Sequence, residues 1–219
     1  MNDERREKFR RVAEARQQGL TVILENVVDQ HNIGAVLRSC DSVGIQEVFV
    51  LYVDAGIKQK NIELGRRTAA GTQKWMDIHF FHDREACFAA VRSRYARIYA
   101  THLGAEAVSL YALDLCQPVA LLFGNELQGL TAESLALVDG NFVIPQVGMS
   151  ESLNISVACA ISVYEAYRQR HAQGWYGPQN PLPAENRQAL FHEFIARNEA
   201  AIAAKKRLPG INPDSVING

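Results

Sequence analysis

Leu20-Thr-Val-Ile-Leu24, Asn32-Ile-Gly-Ala-Val-Leu-Arg-Ser-Cys-Asp-Ser-Val43 and Glu47-Val-Phe-Val-Leu-Tyr-Val53 succeed one another near the start of the chain. The first and third are short and β-rich, and the middle one gathers Ile33, Val36, Leu37, Cys40 and Val43 on one side of a helix. Apolar strands separated by an amphipathic helix predict parallel neighbours, because two parallel strands need a crossover between them.

The same alternation continues outward. A helix is expected around 62–70, a strand at 76–81, and a helix from an Asp83 cap to about Tyr95. Short β-runs come next at 98–101, 119–123 and 142–144. Thr131 is expected to cap a helix through Val138, and 154–171 reads as one long helix. The predicted fold class is α/β, a mostly parallel sheet with helices on both faces. A charged helix with Phe9, Val12 and Ala13 precedes it over about 3–18. After the break at Gly174-Trp-Tyr-Gly177 and Pro181-Leu-Pro183, a last helix spans about 184–206. This divides the chain into an arm at 1–19, a body at 20–172 and an extension at 173–219.

With 219 residues, 47% of them apolar, such a body can bury a core without metal or disulfide staples. No apolar run reaches the roughly 18 residues of a membrane helix, and the N-terminus lacks signal-peptide order. Cys40, Cys87, Cys116 and Cys159 form no Cys-x-x-Cys pair, so the expectation is a cytoplasmic protein without metal. The net charge of −1 does not announce a nucleic-acid binder. Arginine nevertheless supplies 17 of the 23 basic residues, and its planar fork grips phosphate. Arg5, Arg6, Arg10 and Arg11, then Arg66 and Arg67, then Lys205, Lys206 and Arg207 form local clusters. They read either as solvated helix faces or as phosphate contacts.

In open α/β sheets ligands bind beyond the carboxyl ends of strands. There is no G-x-G-x-x-G, no P-loop, no metal-spaced Cys/His set and no G-x-S-x-G elbow. Three post-strand loops remain. Asn26–Arg38 contains Asn32, which reads as a helix cap or as a functional group, and Arg38, which points away from the apolar side of its helix. Arg38 suits either a surface ion pair or a ligand anion. In Leu121–Leu130, Gly124 and Gly129 bracket Asn125 and Glu126, as a plain turn or as a backbone approach to a ligand. In Ile144–Ser156, Ser150, Ser152 and Asn154 crowd a helix N-terminus where one cap suffices. Met149 and Leu153 suggest an apolar wall beside them.

Asn32-x5-Arg38, Phe123-Gly-Asn-Glu126-x-x-Gly129-Leu130, and Ile144-Pro145 followed by Met149-x-x-Leu153-Asn154-x-Ser156 together resemble the SpoU branch of the SPOUT RNA ribose 2′-O-methyltransferases. The resemblance implies a C-terminal trefoil knot, S-adenosylmethionine as cofactor and a homodimer. It assigns cofactor contacts to Thr101, Phe123, Gly124, Gly129, Ile144, Met149 and Leu153. Asn32, Arg38, Glu126, Ser152 and Asn154 would surround the reacting ribose. One basic helix before the body and one arm after it resemble the tRNA guanosine-18 type, which turns the basic clusters into expected tRNA contacts. Alternatives are another tRNA position, ribosomal RNA, a non-catalytic RNA-binding relative, or a small-molecule enzyme on a plain doubly wound sheet.

Overall fold

The computed structural model describes residues 1–57, 74–104, 106–150 and 152–207, with side chains to 203. The helix expected around 62–70, with Arg66 and Arg67, and the side chains of Lys205, Lys206 and Arg207 lie outside the described residues. The elements run α1 (Asp3–Ala15), β1 (Leu20–Glu25), α2 (Gln30–Ser42), β2 (Glu47–Leu51), β3 (Asp77–Phe81), α3 (Arg84–Arg92), β4 (Arg97–Thr101) and β5 (Val108–Ser109). A 3-10 turn at Leu110–Ala112 leads to β6 (Val119–Phe123), α4 (Ala132–Leu135), β7 (Gly140–Val143), α5 (Ile155–Ala172) and α6 (Ala184–Arg207).

The strands form one sheet in the order β3-β2-β1-β6-β4-β7-β5. Every pairing among them is parallel. Side chains alternate between faces along each strand, and the core divides accordingly. Val22 and Leu24, Val48 and Val50, and Leu121 and Phe123 pack with Ile33, Val36, Leu37 and Cys40 of α2 and Cys159 and Val163 of α5. Ile23, Phe49, Leu51, Ala120 and Leu122 face the other way, against Cys87, Phe88 and Val91 of α3. The expected double-sided sheet is therefore observed. Cys40 and Cys159 meet between α2 and α5, where their hydrogen bond and burial raise the Cys40 thiol well above its usual range. They behave as small apolar residues.

Several boundaries differ from expectation. Helix α2 begins at Gln30, because the Asp29 carboxylate caps it by accepting the His31 N–H at 2.7 Å. Asn32 is thus inside the helix and not its cap. Strand β5 is too short to read from periodicity, and α4 stops at Leu135 instead of Val138. Helix α1 stops at Ala15, where Arg16 turns extended and buries its guanidinium. That group donates to Asp41 Oδ1 at 2.7 Å, Ile45 O at 3.1 Å and Trp75 O at 3.0 Å. Helix α1 is largely exposed, with one buried side. Its Phe9 and Ala13 pack with Phe191 and Phe194 of α6, so the two terminal helices share a small core of their own.

At the amino ends of the central strands, Glu47 accepts from Tyr95 Oη at 2.8 Å and pairs with His79 Nε2 at 2.9 Å and with Arg94. Burial by itself raises the Glu47 pKa, but the His79 and Tyr95 hydrogen bonds and the Arg94 charge outweigh it. The carboxyl is held below its ordinary 4.5. A depressed folded value contributes stability above the unfolded value and loses it as pH falls through the folded one. Glu47→Gln should therefore lower the melting temperature at pH 7 by about 3 °C. The gap should close as pH falls below the ordinary glutamate value, in thermal scans of both proteins across that range.

Candidate active site

The sheet order sets β1, β6, β4 and β7 side by side, so the loops at their carboxyl ends meet. Asn26 ends β1 in the left-handed region at φ 56°. Its Oδ1 accepts from Val53 N at 2.9 Å and Asp54 N at 3.1 Å, tying the first loop to the end of β2. Its carbonyl accepts Asn125 Nδ2 at 3.0 Å, tying it to the loop after β6. Asn125 folds that second loop by accepting Leu127 N at 2.8 Å, and its backbone exchanges two hydrogen bonds with Gly129. The buried Glu25 carboxylate accepts Thr131 N at 2.7 Å and the Ser134 hydroxyl, anchoring the start of α4 to the end of β1.

The two glycines of this loop have different duties. Gly129 sits at φ 69°, with open space where a side chain would be. Gly124 is tightly overlaid by backbone: an added Cβ would lie 2.5 Å from Gly129 O and 2.6 Å from Leu130 N. A cleft of about 380 Å³ opens here. Thr101, Phe123, Gly124, Gly129, Ile144 and Leu153 line it, and Ser152 and Glu126 stand at its side. Met149, expected on the same wall, is fully exposed and absent from the lining. Its loop stands off the body after Gly148, around which there is open space.

Three of the five residues expected around the ribose are brought together by hydrogen bonds. Asn32 Nδ2 donates to Glu126 Oε1, and Asn154 Nδ2 donates to Asn32 Oδ1 at 3.0 Å. Asn154 also caps α5 by accepting Ser156 N at 2.9 Å. The cap reading of Asn154 thus holds: its oxygen caps while its amide reaches across to α2. Arg38 does not join them. It lies six residues beyond Asn32, two-thirds of a turn round α2 and about 9 Å further along its axis. It is exposed, outside the cleft lining, and has no ion pair among the described residues. Within one chain, then, three of the groups converge and Arg38 stands apart from them.

Sequence patterning does not single out Asn26 and Asn125, which set the loops. The signal present is an Asn soon after each of two strands, since Asn tolerates left-handed backbone and bonds to its own turn. Among the described residues there is no cluster of His, Cys, Asp or Glu suited to a metal, and no helix long and apolar enough to cross a membrane.

The chain is similar to known proteins in sequence and in fold. The chain is 40% identical over 172 residues to a tRNA (guanosine(18)-2′-O)-methyltransferase of Thermus thermophilus, a match covering 78% of this chain and 86% of that one. It superposes on the A. aeolicus TrmH/SpoU tRNA modifying enzyme with a TM-score of 0.73 at 33% identity, covering 90% and 97% of the two chains. The SpoU methyltransferase AviRb from Streptomyces viridochromogenes, solved in complex with the cofactor AdoMet, gives 0.60 at 27% identity over 72% of this chain and 62% of that one. The profile of the SpoU rRNA Methylase family matches residues 19–164, and this chain belongs to that family.

Proposed function

We propose that the protein transfers a methyl group from S-adenosylmethionine to the 2′-oxygen of a ribose in tRNA, at guanosine-18 of the D-loop, in the cytoplasm. The observation that carries this reading is the Asn154–Asn32–Glu126 chain at the edge of the cleft, which joins three loops into one polar site. The name of the Thermus relative supports the substrate. The AdoMet-bound neighbour supports the cofactor. So do Gly124 and Gly129, which have only backbone to present at the wall of the cleft.

S-adenosylmethionine supplies an already activated carbon, which leaves alignment and charge stabilisation to the protein. Thr101, Phe123, Gly124, Gly129, Ile144 and Leu153 would hold it. Asn32, fixed between Glu126 and Asn154, orients the substrate, and Ser152 lies on the same side. Arg38 clamps the phosphate and ribose and stabilises the alkoxide that forms. A guanidinium has no acceptor and keeps its charge in proteins, so Arg38 serves here as a charge and a fork.

Arg38 would reach the reaction from a second copy of the chain, in a homodimer. Two observations support this arrangement. Arg38 is unpaired among the described residues and outside its own chain's cleft, and the adjoining face of α5 exposes Val157 and Tyr164, the latter within 3.2 Å of Ser42 on α2. The knot is likewise proposed, with the body at 20–172. Strand β6 enters between β1 and β4, and Gln169 and Arg170 of α5 grip the segment before β6. Segments 1–19 and 173–219 would serve as arms that contact tRNA.

Incubating pure protein with an unmodified tRNA transcript and S-adenosylmethionine, then mapping the product, tests the reading. Label on the guanosine-18 ribose is expected, and none when that ribose is 2′-deoxy. Methylation at another position, or of ribosomal RNA instead, would replace the substrate assigned. Gly124→Ala should weaken cofactor binding about 100-fold, because backbone must shift to admit a methyl group. Gly129→Ala, strained only in its backbone, should cost about fivefold. Calorimetric titration with S-adenosylmethionine separates the two.

A further inference from the structure

Away from the cleft, a cavity of about 730 Å³ lies between α1 and the segment that leads into β3. Arg5, Lys8 and Arg11 line it at three-residue spacing on one side of α1, spanning about 9 Å. None of the three has an ion pair among the described residues. Of the remaining charges there, Arg16 and Asp41 neutralise each other, and Glu7 pairs with Arg10 at 2.7 Å. Glu4 stands in the first turn of the helix. The apolar part of the wall is aromatic. Trp75 is half-buried, tilted on Phe9 at 5.1 Å between ring centroids and edge-on to Phe194 at 5.9 Å; Lys74 Nζ lies over its ring at 4.7 Å, and the side chain contributes to the cavity wall.

We infer that this cavity binds one unstacked nucleotide of the RNA substrate, its base against Trp75 and its phosphate on Arg5, Lys8 and Arg11. Three cations against the one unpaired carboxylate of Glu4, beside an aromatic side chain, match a phosphodiester joined to a flat ring, whereas an acidic peptide would use only the cations. The arrangement also sorts the arginines of α1. Arg6 and Arg10 lie over the Phe191 ring, at 5.9 and 5.3 Å from its centroid, and do not line the cavity. Asp41, at its edge, is nine residues along α2 from Asn32, or about 13 Å. The nucleotide held here is thus not the one methylated, and the contact contributes to binding and not to the chemical step.

The inference rests on an RNA substrate, and its test keeps the two apart. The sequence has two tryptophans, so Trp175→Phe leaves Trp75 as the sole indole in full-length protein. Unmodified tRNA transcript should quench its emission, and a base-free polyanion such as polyphosphate should not. Trp75→Leu should raise KM for tRNA about tenfold with kcat within about twofold. Trp75→Phe should recover most of that loss. Lys8→Gln and Arg11→Gln should each lower the salt slope of tRNA binding by about one. Unchanged Trp75 emission in protein that is methylating tRNA would overturn the inference, as would equal quenching by polyphosphate or an unmoved KM. Failure to methylate any tRNA while the quenching persists would instead remove the assigned reaction and leave the nucleotide site standing.

Discussion

Arg38→Ala should lower methyl transfer to tRNA about 1000-fold, while S-adenosylmethionine binds as tightly as before. The structure separates these two effects. Arg38 does not line the cleft proposed for the cofactor, so calorimetric affinity should be unmoved. It is exposed and unpaired among the described residues, so melting should shift little, within about 0.5 kcal/mol. Arg38→Lys should be nearly as impaired, since a point charge does not replace a planar fork. Mixing decides which chain Arg38 serves. If it acts across a two-fold dimer, Arg38→Ala exchanged with inactive Glu126→Ala should regain about a quarter of full activity, because one site in each mixed dimer is intact. If it acts within its own chain, every site carries a lesion and no activity returns. Near-normal turnover of Arg38→Ala itself would remove it from the reaction.

The largest effect on stability is expected at Arg170. Its guanidinium is fully buried in the last turn of α5, with no carboxylate bonded to it among the described residues. It donates to Leu115 O at 2.9 Å, Gln18 O at 2.9 Å, Gly19 O at 2.7 Å and Gln117 O at 3.2 Å. Burial lowers its pKa to about 10, so it remains charged at neutral pH. One side chain thereby joins the entry of β1, the segment before β6 and the end of α5. Arg170→Met would take a donor from four carbonyls, of which Gly19 O keeps the Val119 N–H, at an expected cost of about 3–5 kcal/mol. That corresponds to a melting temperature about 10 °C lower. Arg168→Ala, two residues away and exposed, loses only an i,i+3 ion pair with Glu165 and should leave the melting temperature nearly unchanged. Similar melting of the two variants would show that the carbonyl cluster is satisfied without Arg170.

Much of the body was legible because its signals are local. The short β-rich runs Leu20–Leu24 and Glu47–Leu51 read as strands, and their side chains feed the cores on both faces of the sheet. The helical period in α2 turns Arg38 outward, as found. Asn154 reads as a cap and is one. Only the cap reading of Asn32 failed, on a competition between neighbours: Asp29, three residues earlier, takes the cap, which leaves the Asn32 amide free to bond elsewhere. Arg16 and Arg170 have sequence contexts that suit solvent. Only the surrounding carbonyls, supplied by distant segments, make their burial tolerable.

Element types, the crevice end of the sheet and the three loops that carry polar groups can be read from the residues alone, since hydrophobic period and turn chemistry are properties of a few consecutive positions. Strand order is not such a property, nor is the partnership of α1 with α6. The same holds for the meeting of Asn32 with Glu126 and Asn154, which lie 94 and 122 residues away. Those depend on how already-formed elements pack, because a hydrogen bond between distant segments exists only once the whole core has set their separation.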